Sequence, residues 1–376
     1  MKLRRVIAVA RKETLHVLRD PRSLGMAIGI PMLLLMLFGY ALTLDVDKVP
    51  TVVWDQSGTA ASRELISRFD GSPYFAVREY VDSYDRVEHA LDAREASVGL
   101  VVPVTFAEDL AAGRGPAVQM LVDGSDANTA TIAIGYAEIV AQIFSQEIAD
   151  KQFRQLTGRS LVTPIEIRPR VWFNADLQSR NFIVPGLIAV IMMVISALLT
   201  SLTVAREWET GTMEQLISTP VKVPELVTGK LAPYFVIGFA DVTLAVVLGK
   251  FLFGVPLRGN VALLFGLSSI FLAGVLSMGI MISIITKSQL LASQLAMVAT
   301  FLPAFLLSGF IFAIPNMPIV IQYITYIVPA RYFVAILKAI YLKGVGLEVI
   351  WTSALLLCAY GALTFTVANV RLKKKL

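Results

Sequence analysis

The chain has 376 residues, 56% of them hydrophobic, and a mean hydropathy of +0.69. A soluble domain has too little interior for that much apolar side chain, so the composition excludes an ordinary soluble enzyme and points to a membrane protein. The formal charge of +5 joins two opposite parts: residues 45–178 hold 12 Lys and Arg against 20 Asp and Glu, and the remainder holds 21 against 8. The basic surplus thus belongs to the membrane part, where it reads as cytoplasmic loop charge and contact with lipid headgroups, not as a nucleic-acid surface.

Residues 1–22 come first. Leu3, Val6, Ile7, Ala10, Thr14 and Val17 fall on about one third of a helix circumference, and Arg4, Arg5, Arg11, Lys12 and Arg19 on another arc. A basic amphipathic helix of this kind lies in the membrane interface, and Pro21 ends it. The apolar run that follows, 23–44, is long enough to span a bilayer and has no A-x-A cleavage pattern behind it, so it is expected to be a retained span rather than a signal peptide.

Residues 45–178 form an insert of their own. Residues 51–55 (TVVWD), 98–102 (VGLVV) and 118–122 (VQMLV) read as strands, 61–69 and 127–156 as helices, and 165–173 (IEIRPRVWF) as a returning strand. That alternation predicts an α/β domain whose strand order the sequence does not supply. Five further spans are expected in 179–376, at about 182–205, 231–253, 261–286, 290–314 and 349–370. A seventh apolar run, 323–342, would carry Arg331 and Lys338 to depth and export the tail Arg371-Leu-Lys-Lys-Lys-Leu376, so 315–347 reads instead as an outer re-entrant segment broken by Pro315, Pro318 and Pro329. The resulting fold class is a polytopic α-helical membrane protein: six transmembrane helices, an N-terminal interfacial helix and an extracytoplasmic α/β domain between spans one and two. Both termini are expected in the cytoplasm of a bacterial inner membrane.

Cys358 is the only cysteine, so no intramolecular disulfide forms, and its apolar setting predicts inert packing. His16 and His89 have no metal-ligand spacing. No GxxxxGK[ST], HExxH or GxSxG pattern occurs; the nearest phosphate-loop fragment, Thr228-Gly229-Lys230, lacks the upstream glycine.

The polar stretch 206–221 interrupts the membrane part between spans two and three. Gly211 permits a tight turn, Thr212 suits an N-cap, and Gln215 stands where a capping box needs it, which predicts a short helix over 213–218 that stops before Pro220. Such a helix would expose Met213, Leu216 and Ile217 among Glu207, Glu209 and Glu214, a shape suited to docking against a cytoplasmic partner. A plain capped linker fits the same residues.

The run Glu207-x-Glu209-x-Gly211-Thr212-x-Glu214-Gln215-Leu216-x-x-Thr219-Pro220-Val221 resembles the coupling segment of ABC type-2 exporter permeases. Lys12-Glu13 and Arg19-Asp20-Pro21 are similar to that family's entry helix, and Val184-Pro185-Gly186 to the start of its second span. Leu307-Ser308-Gly309-Phe310, Asn316-Met317-Pro318 and Pro329-Ala330-Arg331-Tyr332 are similar to its fifth span and the following outer hairpin. The resemblance implies a permease with no ATPase motifs of its own, working with two cytoplasmic ATP-binding-cassette subunits that hold ATP and Mg. It also implies a second permease, identical or homologous. The large insert resembles the subgroup that works with a periplasmic adaptor and an outer-membrane channel.

Two other classes fit parts of the chain. Asp241 stands alone near the middle of span three, where a charge is costly and usually functional; it is a candidate for the translocation path, or for the ion site of an ion-coupled secondary transporter. A membrane-anchored receptor with an extracytoplasmic sensing domain would need fewer spans.

Overall fold

The computed structural model describes residues 2–21, 25–41, 48–158, 170, 172–174 and 178–372, which divide into two compact units, 1–43 with 170–376, and 44–169.

In the first unit, α1 (Leu3–Leu18) precedes a π-helical turn (Gly25–Gly29) and α2 (Ile30–Ala41). After the second unit come α7 (Arg180–Glu209), the short α8 (Thr212–Ser218), α9 (Val223–Phe251), α10 (Val261–Thr286) and α11 (Gln289–Leu306). A bent pair, α12 (Ile319–Thr325) and α13 (Pro329–Lys338), leads to α14 (Leu347–Arg371). Among the described residues, five helices (α7, α9, α10, α11, α14) are long and apolar enough to cross a membrane. The first apolar helix, over 27–41, is shorter than the expected span 23–44, whose ends lie outside the described residues. α9 begins eight residues before the expected start of span three, because Pro224 and Glu225 build a regular first turn. α11 stops at Leu306 rather than 314: Pro303 lies in its last turn and Gly309 follows with φ 79°. The segment expected to be re-entrant turns through 87° between α12 and α13, where Pro329 opens the second helix.

α7 is the spine of this unit. Its apolar stretch is 89% buried, against 22–50% for the other long helices, with α2, α9, α10, α11 and α13 packed around it. Small and hydroxyl residues let the backbones close in. Ser283 Oγ of α10 accepts from the backbone N–H of Val204 (3.0 Å) and of Ala205 (2.8 Å). A Cβ on Gly279 of α10 would stand 2.0 Å from Thr200 Oγ1 and 2.5 Å from the Ala197 carbonyl. Cys358 is exposed on α14, not packed inward as its apolar neighbours suggested, because only one flank of that helix meets the bundle.

The second unit holds β1 (Val49–Asp55), α3 (Ala60–Asp70), β2 (Phe75–Tyr80), α4 (Tyr84–Asp92), β3 (Val98–Val102), α5 (Phe106–Ala111), β4 (Gln119–Val122) and α6 (Ala127–Thr157). The sheet order is β2-β1-β3-β4; β1 runs parallel to both neighbours and β4 is antiparallel to β3, with Thr51 opposite Val98 and Val98 opposite Val122. β3 is buried along its whole length because helices cover both faces: Val98, Leu100 and Val102 pack with Phe69 and Phe144, while Val52 and Val101 meet Val87 and Ala90 of α4. Of the expected elements, three strands and two helices form where the sequence placed them. β2, α4 and α5 are not among the expected elements, since FAVREY exposes half its length, YDRVEHALD is mostly polar and FAEDLA is only six residues long. The expected strand 165–173 lies largely outside the described residues. α6 is capped by Asp126, whose carboxylate accepts from the backbone N–H of Asn128 and Thr129; the Thr129 hydroxyl beside it holds that carboxyl below the usual range.

Gly279→Val should force α7 and α10 apart and destabilise the protein by about 1–3 kcal/mol or more. Gly266→Ala, on the same helix with nothing near its Cβ position, should leave stability unchanged or slightly higher. Thermal unfolding in detergent measures both; equal midpoints would refute the close crossing.

Candidate functional site

Three segments far apart in sequence meet at one end of the bundle: α1, the α7–α8 corner and the start of α9. An apolar cluster of Val9, Val204, Met213, Leu226, Val227 and Ile280 forms their common core. α1 joins it by Val9, and Glu13 and Val17 continue the same flank at four-residue spacing and face the bundle. The expected apolar arc is rotated away from this flank: the two share Val17, and Val6 and Ala10 are half-buried, but Leu3 is 72% exposed and Ile7 55%. The bundle claims the flank that carries Glu13, and the more apolar flank is left for the membrane interface. α1 approaches α9 closely at Gly229, where a Cβ would lie 2.7 Å from that of Val9 and 3.0 Å from the Val6 carbonyl.

The next residue, Lys230, is the centre of the site. Its side chain is 1% exposed, and its ammonium lies 2.6 Å from Glu13 Oε1 and 2.7 Å from Glu207 Oε2. Lys12, half-exposed, donates to the other Glu207 oxygen at 2.6 Å. Two carboxylates and two ammonium groups therefore balance within one cluster, and none of the buried three is tolerable without its partners. Around it, Glu225 Oε1 accepts from the backbone N–H of Lys2 at 2.6 Å and Oε2 from that of Lys222 at 2.9 Å. Arg5 donates to the Pro220 carbonyl at 2.5 Å. Arg206 donates to His16 Nε2 (2.6 Å) and Gln289 Oε1 (3.2 Å), with Asp20 Oδ2 at 3.8 Å. Gln289 in turn gives its backbone N–H to Glu209 Oε1 at 2.8 Å. Arg19 is the residue that ends α1, and is exposed.

The short helix forms where the sequence placed it, with two corrections. Gly211, at φ 72°, occupies the capping position and makes the turn from α7; Thr212 is the first helical residue, and its hydroxyl donates back to the Glu207 carbonyl instead of accepting from the helix, so no capping box with Gln215 forms. Met213 is 1% exposed, and Leu216 and Ile217 are half-buried against the same cluster, because the tight turn folds α8 back onto α7 and α9. The outward side of α8 is polar: Glu214, Gln215 and Ser218, bounded by Glu209 and Pro220.

The remaining candidates lie elsewhere. Asp241 is 4% exposed and borders a cavity of about 10 Å³ walled by Pro31, Leu35, Ile188 and Met192, with no hydrogen-bond or ion-pair partner among the described residues. Arg331 donates to the Thr325 hydroxyl and covers the Tyr326 ring at 3.8 Å, and Tyr332 donates to the Tyr326 carbonyl at 2.6 Å; both fasten the α12–α13 corner. Sequence reasoning missed Lys230, Glu225 and Arg206. Thr228-Gly229-Lys230 reads in sequence only as an incomplete phosphate loop; the usable signal is Lys230 itself, a lone charge at the edge of an apolar run that needs a partner.

Comparison with known proteins supplies the family. The profile described as ABC-2 family transporter protein matches residues 21–369. Escherichia coli (strain K12) YbhS, named a probable multidrug ABC transporter permease, is 39% identical over 99% of this chain and 98% of its own length. YbhR of the same organism and named role is 29% identical over 99% of both chains. The Bacillus subtilis (strain 168) linearmycin resistance permease protein LnrN is 22% identical over 96% of this chain and 98% of its own. The chain belongs to the ABC-2 transporter family and is a membrane permease, a transport subunit rather than an ATPase.

Proposed function

We propose that this permease exports drug-like, amphiphilic molecules, and that α8 and α1 receive the drive from the ATPase. As the membrane subunit of an ABC exporter it works with cytoplasmic ATPase subunits, in a multi-pass arrangement in the inner membrane. The observation that carries the coupling reading is the buried Glu13–Lys230–Glu207 cluster. It links α1, α7 and α9 beside the polar outward side of α8, so a push on α8 reaches three helices through buried charges paired with one another and with Lys12. Two ATPase subunits, each holding ATP and Mg, would seat the two α8 helices of a permease pair. The drug-like cargo rests on the named roles of YbhS and YbhR and on charge-poor spans.

The reading has six spans, α2 being the first, both termini cytoplasmic and 45–178 outside, where a periplasmic adaptor and an outer-membrane channel would take over the cargo. The acidic balance of 45–178 and the basic balance of the rest support it. On a Cys358→Ala background, an impermeant thiol reagent added outside should label Ser125→Cys and spare Ser218→Cys; the reverse pattern sinks this topology.

Two substitutions separate docking from integrity. Glu214→Lys alters only the outward side of α8, so folding should hold while copurification of the ATPase weakens roughly tenfold. Lys230→Met leaves Glu13 buried without a partner and Glu207 with Lys12 alone, and should cost about 3–5 kcal/mol of stability. Wild-type copurification and substrate-stimulated ATP hydrolysis with Glu214→Lys would show α8 to be a linker.

A second reading, ion-coupled transport, is favoured by one observation: Asp241 is buried without a partner. Under the ATP-driven reading, Asp241→Asn should keep transport within about threefold and hold or raise stability, since it removes the burial of an unpaired carboxyl. Loss of transport with ATP hydrolysis intact would favour the ion site.

A further inference from the structure

The second unit contains a feature the coupling site does not use. A cavity of about 730 Å³ opens between β4, α5 and α6. Its floor is the domain's own core, with Leu65, Phe69, Leu100 and Phe106 each under 5% exposed. Its long wall is one flank of α6 from Ile134 to Gln152. The nineteen residues 134–152 extend about 27 Å, so the cavity is a long slot. That admits a single hydrocarbon chain or a line of fused rings.

The lining decides the chemistry. It is apolar along its length apart from Glu138, Ser145 and Gln152. Gln152 is used by the fold, donating to the Leu110 carbonyl at 3.3 Å and tying α6 to α5. Glu138 is the only ionisable group that lines the slot, and it has no hydrogen-bond or ion-pair partner among the described residues. The nearby cation Arg114 is taken by Asp109 at 2.7 Å. A slot of this volume and lining lies in the range of small-molecule sites, and water filling it would gain few hydrogen bonds.

We propose that this slot binds a small cationic amphiphile, its apolar body along α6 and its cationic group beside Glu138. The acid supplies the orientation and the apolar walls supply the affinity. The surplus of acidic residues in 45–178 attracts such cations to the domain. The inference rests on the export reading only for where the ligand comes from; binding itself needs neither ATP nor transport, so the two fail separately.

The test is photolabelling of the full chain in lipid nanodiscs without nucleotide. The probes are a diazirine-bearing hexadecyltrimethylammonium and the neutral alcohol of the same chain, with labelled peptides mapped by mass spectrometry. Both probes should label 106–152 saturably. Ala141→Trp and Ala149→Trp, two exposed positions that fill the slot independently, should each remove most of that label at an unchanged melting temperature. Glu138→Gln should weaken the cationic probe about fivefold and leave the alcohol unchanged. Labelling that survives both tryptophans, or equal loss of both probes with Glu138→Gln, overturns the proposal.

Discussion

A lysine ammonium buried between two carboxylates holds together the end of the bundle on which the rest of the molecule's mechanics depends. Lys230 on α9, Glu13 on α1 and Glu207 on α7 are each nearly sealed from water. Taking any one of them out of water alone would cost several kcal/mol, and only the mutual contact offsets it. The three helices are thus bound to one arrangement at this end. Apolar packing by itself would tolerate sliding; a charge cluster does not, because a shift of a few ångströms leaves an ion unpaired.

From that point the structure extends in two directions. Towards the polar end, Gly211 turns the chain two residues after Glu209, and α8 lies back on Met213 and its neighbours while Arg5 holds the far end at Pro220. The short helix is fastened at both ends to elements that share the charge cluster. Towards the membrane, α7 runs through the bundle with almost every side chain covered, and its hydroxyl and small residues let α10 lie against its backbone. A helix so enclosed transmits displacement rather than absorbing it, since packed interiors are stiff.

The extracytoplasmic reading of the second unit rests on charge, and its architecture rests on burial. β1 and β3 carry apolar residues on both faces because α3 and α6 cover one and α4 the other. The antiparallel β4 at the edge is covered less fully, and there the interior opens into the slot beside α6.

Much of this was legible locally. The apolar runs of 182–205 and 261–286, the strand VGLVV and the helix after Gly211 follow from period, length and breakers, which neighbours in sequence decide. The family resemblance was legible in short motifs for the same reason. What sequence could not decide was which flank of α1 meets the bundle, because Val9, Glu13 and Val17 make a less apolar stripe than Leu3 and Ile7. Nor could it assign Thr228-Gly229-Lys230, whose glycine makes room for Val9 and whose lysine answers a carboxylate 217 residues away. The sequence by itself determined the membrane class, most of the elements and the family, since each depends on side-chain pattern over a few turns. Only the tertiary structure decided the charge cluster, the inward turn of Met213 and the slot beside α6, because a buried charge or cavity is defined by its partners, and those come from distant parts of the chain.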